Sequence, residues 1–315
     1  MVCVVTTLGT MHERIGDTLT RANVQGDPEG WATSAWGRVF GRDIDDHYRA
    51  YADPRANGRL LGAQAGFDVW QGSLAAEHYD AAGVYMAYAN THADIDGLVT
   101  NSQVTDYALA HTGRVNMDAV SGGGYWTHYG PSGWYLDGVV QGTRYNGTAR
   151  TQYASLVARG DGLLASLEGG YPIALAWGPN FILEPQLQWI WQHVWFRSTE
   201  DIHSRVSLGS SNGSTGRIGV RGQWTIVRDN GQVWQPYVRA NVWRDMGGGS
   251  TATYAGVDQV PLASQGTRMD VAGGVTAKFG VGLSLYAQLG YQFGVGSGNQ
   301  DRQGIAGDVG IRVRW

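Results

Sequence analysis

Leu283-Ser-Leu-Tyr-Ala-Gln-Leu-Gly-Tyr-Gln-Phe293 alternates from end to end. Leu283, Leu285, Ala287, Leu289, Tyr291 and Phe293 share one face of an extended strand, and Ser284, Tyr286, Gln288 and Gln292 share the other. A period of two means two faces in two different surroundings. A soluble sandwich also alternates, but its wet face is rich in Lys and Glu. Here the polar face carries Gln, Tyr and Ser, which suits a crowded wet interior with hydrocarbon outside.

The same pattern recurs along the chain. Strands fit 31–40, 58–70, 82–90, 117–128, 134–141, 163–170, 181–192, 217–226, 234–242, 268–278, 283–293 and 305–315. Those at 82–90 and 117–128 are the least regular. Twelve strands of the ~9–11 residues that cross a bilayer at a tilt predict an all-β transmembrane barrel of antiparallel strands. Connections reinforce this. Tight links at 129–133, 177–180, 228–232 and 279–282 alternate with long ones at 143–161, 197–215 and 244–267, as if short turns occupied one rim and long loops the other.

Composition agrees. Among 315 residues there are 48 Gly, 13 Trp and 16 Tyr, and only 16% are charged, against roughly 25% in soluble domains. Trp134, Trp189, Trp191, Trp234, Tyr291 and Trp315 are candidates for interfacial girdles in a lipid bilayer. No apolar run reaches the ~18 residues of a membrane helix. A net charge of −4 gives no reason to expect a nucleic-acid partner. The single cysteine, Cys3, excludes an internal disulfide and a Cys-based zinc site. Residues 1–7 lack the basic start and apolar length of a signal peptide, so an export signal is expected on a longer precursor of which this is the C-terminal piece.

One segment breaks the period of two. Thr10 and Glu13 form a capping box, and Met11, Ile15, Leu19 and Ala22 then fall on one helical face. Gln25 to Gly30 is a turn cluster. The division expected is a linker at 1–9, a helix at 10–25 inside the lumen, and a barrel at 30–315. Inward parity places Asp137, Glu168 and Glu184 on strands five to seven. It places Arg217, Arg221 and Arg239 on strands eight and nine, and Arg312 and Arg314 on twelve. An acidic wall would then face a basic one, and a helix bearing Glu13, Arg14, Asp17 and Arg21 would be held between them by paired charges.

Leu8-Gly-Thr-Met-His-Glu-Arg-Ile-Gly16, Trp36-Gly-Arg-Val-Phe-Gly41, Gly133-Trp-Tyr-Leu-Asp-Gly138 and a last strand ending in Trp315, in that order, resemble the translocator domain of type V autotransporters, in their adhesin-like branch. The resemblance covers nearly the whole chain. It implies a barrel in the outer membrane of a Gram-negative bacterium, exporting and anchoring an upstream passenger domain, with the helix from Thr10 through Ile15 to Asn23 plugging the pore afterwards. It also implies as partners periplasmic chaperones and the barrel-assembly machinery, which would read Val309, Ile311, Val313 and Trp315.

Other functions have less support. Some relatives cut their passenger at an Asn-Asn pair in the lumen helix; this chain has Asn23-Val24, whose β-branched second residue crowds the cyclisation. The eight histidines show no metal-ligand spacing, and neither a cofactor nor a metal is expected. A barrel protease or lipase would need an acid–His constellation on the loop rim, such as Asp46 with His47, Asp201 with His203, or His92 with Asp94. A passive porin would share the strands and lack the helix. Gly122-Gly-Gly124 precedes no helix and marks a kink or a close approach to the helix in the lumen.

Overall fold

The computed structural model describes residues 8–15, 30–50, 52–100, 103, 105–200, 205–247, 249–262, 265–280, 282–296, 298 and 300–315. Twelve strands form one antiparallel barrel. They are β1 (Gly30–Tyr48), β2 (Arg55–Gly72), β3 (Tyr79–Thr100), β4 (Tyr107–Tyr129), β5 (Tyr135–Arg150) and β6 (Ser155–Gly170). The second half holds β7 (Phe181–Phe196), β8 (Ser210–Gln223), β9 (Val233–Gly247), β10 (Gly266–Phe279), β11 (Leu283–Val295) and β12 (Gln300–Arg314). Each strand pairs with its neighbour in sequence, and β1 pairs with β12 from Ser34↔Arg314 to Tyr48↔Gln300. Closure leaves no row of unpaired backbone groups to face lipid.

Sidedness follows the alternation. Val39, Leu61, Leu187, Ile218, Leu289 and Val309 point outward and are exposed, whereas Gln64, Gln141, Gln188, Arg217, Thr276 and Arg312 point inward and are buried. The lumen is therefore packed with side chains. Trp189, Trp191, Tyr291 and Trp315 lie on the outer face.

The strands are longer than the periodicity predicts. β3 and β4 have 22 and 23 residues, ~70 Å of chain against an apolar band ~25 Å tall. The stretch 143–161, expected to be a long link, is mostly strand: Tyr145↔Gly160 and Asn146↔Arg159 continue the β5–β6 ladder, and the link is 151–154. The reason is physical. Beyond the bilayer both faces of a strand are wet, so the apolar row stops while the backbone ladder continues. Alternation marks where the lipid is, not where the strand ends. The expected contrast of rims weakens accordingly. The link at 177–180 belongs to a longer one, 171–180, in which Ile173–Leu175 pairs with the start of β7. The connections at 197–209 and 248–265 hold a separate four-stranded sheet of Thr199–Glu200, Arg205–Ser207, Ser250–Tyr254 and Asp258–Leu262.

The glycine content has a packing explanation. Inward aromatic rings lie flat across the neighbouring strand, where a Cβ would collide with them. A Cβ on Gly66 would sit 2.7 Å from Trp36 Cζ2, and one on Gly310 would sit 2.0 Å from Tyr286 Cζ. Gly123 is of this kind: its close neighbour is the Tyr85 ring, 2.6 Å from a built Cβ, so of the two readings of Gly122–Gly124, a kink or an approach to the helix, the helix approach does not hold at this residue. Gly122 has nothing within 4 Å. Gly310→Val should therefore destabilise the barrel by ~1–3 kcal/mol through overpacking, and Gly122→Val should be near neutral. The temperature at which the compact, fast-migrating band is lost on unboiled gels compares the two.

Candidate functional site

Inside the barrel lies a helix whose described part is α1 (Met11–Ile15). Its start is the predicted capping box. Thr10 N–H donates to Glu13 Oε2 at 2.8 Å, Glu13 N–H donates to Thr10 Oγ1 at 3.2 Å, and Arg14 N–H donates to the Thr10 carbonyl at 3.0 Å. Of the other helix positions named from the sequence, Asp17, Arg21 and Asn23 lie outside the described residues, as does the side chain of Ile15.

A helix start is costly to form, since a nucleus fixes several residues for one hydrogen bond. The barrel wall offsets that cost. Arg14 Nη2 donates to both oxygens of Asp137, at 2.8 and 2.9 Å, with both side chains buried. His12 Nε2 lies 2.8 Å from Glu184 Oε1. Met11 N–H donates to Glu168 Oε2 at 3.0 Å. The three carboxylates of β5, β6 and β7 thus meet the Arg14 guanidinium, the His12 ring and a backbone N–H of the helix start.

On the far side the signs reverse. Arg239 of β9 donates to Glu13 Oε1, which also accepts from Gln288 Nε2 at 3.0 Å. Arg38 Nη1 donates to the Glu13 carbonyl at 3.1 Å, and the Tyr286 hydroxyl donates to the Arg14 carbonyl at 2.9 Å. Apolar contact completes the seat: Leu8 and Met11 are buried in one cluster with Trp36, Phe40, Leu164 and Ile190.

The remaining inward arginines stitch the barrel to itself. Arg217 Nη2 pairs with Glu168 Oε1 at 3.0 Å and its Nη1 donates to Gln186 and Asn241. Arg221 lies over the Tyr237 ring at 4.1 Å and donates to Gln223 at 2.5 Å. Arg312 donates to Asp68 and to Ser34 Oγ at 3.0 Å, while Arg314 is half-buried one step beyond. Asp68 also accepts from Ser34, from Gln71 at 2.5 Å and from the Tyr125 hydroxyl at 2.5 Å. This knot joins β1, β2, β4 and β12 across the seam where the barrel closes.

Arg38, Tyr286, Gln288 and Asp68 were not singled out from the sequence. The parity of β11 already turns Tyr286 and Gln288 inward. Arg38 is hidden for a reason: on β1 the inward row is Trp36-x-Arg38-x-Phe40, whose large aromatics read as lipid-facing.

Of the acid–His pairs named for an enzyme rim, Asp46 and His47 turn to different partners. Asp46 turns inward to Gln300 at 3.0 Å and Arg302 at 3.5 Å, while His47, next along the strand, lies 2.5 Å from Asp53 in the following turn. Hydrogen bonds from His47 and Arg55 hold the Asp53 carboxyl below the usual carboxylate range. Asp94 accepts from Arg114 Nε at 2.7 Å. Asp201 and His203 lie outside the described residues.

A closed antiparallel barrel, apolar outside, polar inside and seated around a helix, is a membrane-spanning outer-membrane β-barrel. The Autotransporter beta-domain family matches residues 35–296, and the chain belongs to that family. The pertactin autotransporter of Bordetella bronchiseptica is 30% identical over 271 residues, covering 84% of this chain and 27% of that protein. The BrkA autotransporter of Bordetella pertussis is 28% identical over 294 residues, covering 90% of this chain and 26% of the relative. The chain thus spans about a quarter of the length of these relatives. In fold it is similar to the transport unit of AIDA-I from Escherichia coli, with a TM-score of 0.75 at 20% identity and 90% of each chain covered. It is an outer-membrane translocator domain of a Gram-negative bacterium.

The Arg14–Asp137 contact can be tested as a buried pair. Arg14→Met alone strands a buried carboxylate and should cost ~3–5 kcal/mol; adding Asp137→Leu should recover most of the loss. The midpoint of chemical unfolding in detergent, read by tryptophan fluorescence, checks both.

Proposed function

We propose that residues 30–315 anchor and conduct an upstream passenger to the cell surface, that residues 10–25 plug the pore once export is complete, and that residues 1–9 are linker. The observation that carries this reading is the two-sided docking of α1, with Arg14 on Asp137 of one wall and Glu13 on Arg239 of the other. A segment held by opposite charges at opposite walls is fixed in position across a lumen, not merely adsorbed to one side. The passenger is of the adhesin-like kind to which the sequence bears its resemblance. Self-cleavage in the helix is not part of the proposal, because Asn23-Val24 supplies no Asn-Asn pair.

Assembly fits the same reading. Val309, Ile311, Val313 and Trp315 form an exposed outward row on the last strand, suited to recognition by the barrel-assembly machinery after delivery by periplasmic chaperones.

Two experiments bear on this. An epitope fused ahead of Met1, behind a secretory signal, should become protease-accessible on intact cells. Retention in the periplasm of cells whose barrel is assembled in the outer membrane would refute export. In planar bilayers the full chain should give a small conductance that rises several-fold on deleting residues 8–23. An unchanged conductance in a folded deletion variant would leave the barrel a conduit and remove the plug.

A further inference from the structure

Where β5, β6 and β7 leave the apolar band, three arginines stand together on the outer face of the barrel. Along the outward row of β6, Leu167 and Leu163 are exposed and apolar, and Asp161 and Arg159 follow. The outward row of β7 ends in Trp191, His193, Trp195 and then Arg197, and that of β5 runs from Val140 through Gly142 to Arg144 and Asn146. Register sets these ends side by side. Arg144 is opposite Asp161, Asn146 is opposite Arg159, and Arg197 N–H donates to the Arg159 carbonyl at 2.8 Å. Arg144, Asn146, Arg159, Asp161 and Arg197 line one recess of about 330 Å³. That is far above the ~10–15 Å³ that holds one water.

Its height identifies what it meets. Arg159 lies four residues beyond Leu163, which is ~13 Å of strand. At a tilt of ~40° that is a rise of ~10 Å, with Arg144 and Asp161 about halfway. The recess therefore spans the ~5–8 Å polar layer that covers the hydrocarbon on each side of a bilayer. The aromatic belt of β7 marks the same level: the Trp191, His193 and Trp195 rings follow one another with centroids 6.4 and 5.4 Å apart. This is also the end of the barrel where the ladders continue past the apolar row and the separate sheet sits, the features of an extracellular rim.

The charge here is positive and loosely held. Arg144 Nε and Arg197 Nη2 share one carboxylate, Asp161, at 3.3 and 3.5 Å, and their side chains stay 77% and 67% exposed. A guanidinium has five N–H donors, so a single shared carboxylate leaves most of them to water. Arg159 is exposed as well. Neighbouring acids do not cancel the surplus among the described residues. Glu200 stands opposite Arg205, and Asp118, opposite Asn146, accepts from the Tyr88 hydroxyl and Asn90. With all of these counted the balance remains positive. Across the barrel, the corresponding outward positions of β1 and β12 are Asp43, Asp45, His47, Asp301 and Gln303, so the basic patch is not a general property of this rim.

We propose that this recess holds the phosphate of an outer-leaflet lipid, which in a Gram-negative outer membrane is lipopolysaccharide. Arg144, Arg159 and Arg197 meet the phosphate, for which the planar guanidinium fork is suited. The acyl chains lie against Val140, Leu163 and Leu167 directly below. A free anion would find only exposed and screened charge. A lipid adds the apolar contact that this surface already makes. The inference rests on this rim facing outward, as export to the surface requires, and not on the helix acting as a plug.

The full chain in a neutral detergent, titrated with lipopolysaccharide, provides the test. The unboiled band should persist to a temperature a few degrees higher with the lipid bound. Replacing Arg144, Arg159 and Arg197 together by Gln should weaken binding at least tenfold by calorimetric titration and remove the shift, the fast-migrating band itself showing that the variant folds. Arg228→Gln, at the other rim, should leave both unchanged. Dephosphorylated lipopolysaccharide should give no shift, and neither should inorganic phosphate at the same phosphate concentration. An equal shift in the triple variant or with the dephosphorylated lipid would overturn the proposal, and an equal shift with inorganic phosphate would replace the lipid by a free anion. Orientation is read separately: Gln152→Cys in a Cys3→Ser background should react with a membrane-impermeant maleimide on intact cells. Failure of that labelling in an assembled barrel would overturn the outward orientation itself, and failure of lipid binding alone would leave it standing.

Discussion

Each strand has one face against hydrocarbon, and that requirement organises everything inside. With the apolar row turned out, the other row must turn in, and twelve such rows confront one another across a lumen small enough to bury them. A polar group taken from water needs a partner, or it costs several kcal/mol. The interior is therefore a mutual-satisfaction problem solved by reach. Long side chains span the gap: Arg217 of β8 binds Glu168 of β6, and Arg312 of β12 binds Asp68 of β2. Rings fill what remains and lie flat because glycines beneath them allow it, as Gly310 does for Tyr286.

Within such an interior the helix start is not a foreign body but part of the solution. Its charges complete pairs that the wall begins. Buried ion pairs add little net stability over apolar packing of equal volume, because desolvation offsets most of the attraction. Their effect is on position. A helix shifted by one residue would put Glu13 where Arg14 meets Asp137, setting two carboxylates together, so one register is selected sharply. The capping box works in the same direction by fixing where the helix begins.

Much of this was legible in the sequence where local and global requirements coincide. Alternation marked strands wherever lipid lay against them, and Thr10 with Glu13 marked the helix start by spacing alone. The inward parity of Asp137, Glu168, Glu184 and Arg239 followed from the outward apolar row of the same strands. What stayed hidden has a common cause. Parity says which way a side chain points, not how far across the lumen it reaches. The separation of acidic and basic walls is accordingly softer than the sequence suggests, since Arg217 reaches across to the acidic side. Strand ends above the membrane were lost for the complementary reason, because there neither face is apolar. Arg38 was lost because its strand turns aromatics inward.

The acidic wall has a second consequence. Asp137 and Glu168 are register partners on adjacent strands, and Glu184 follows on the next. With α1 in place each meets a helix donor. Without it, Asp137 retains the Thr127 hydroxyl, Glu168 retains Tyr135 and Arg217, and Glu184 retains Gln186. That leaves carboxylates of like sign, close together and short of donors, which only water can supply at tolerable cost. The residues that seat the helix would thus be the ones to hydrate the lumen if the seat were vacant. A wall of Leu in their place would pack against an apolar helix equally well, but it would collapse or stay dry once that helix left. Charge on the wall is compatible with a seated helix and would be equally compatible with water in its place.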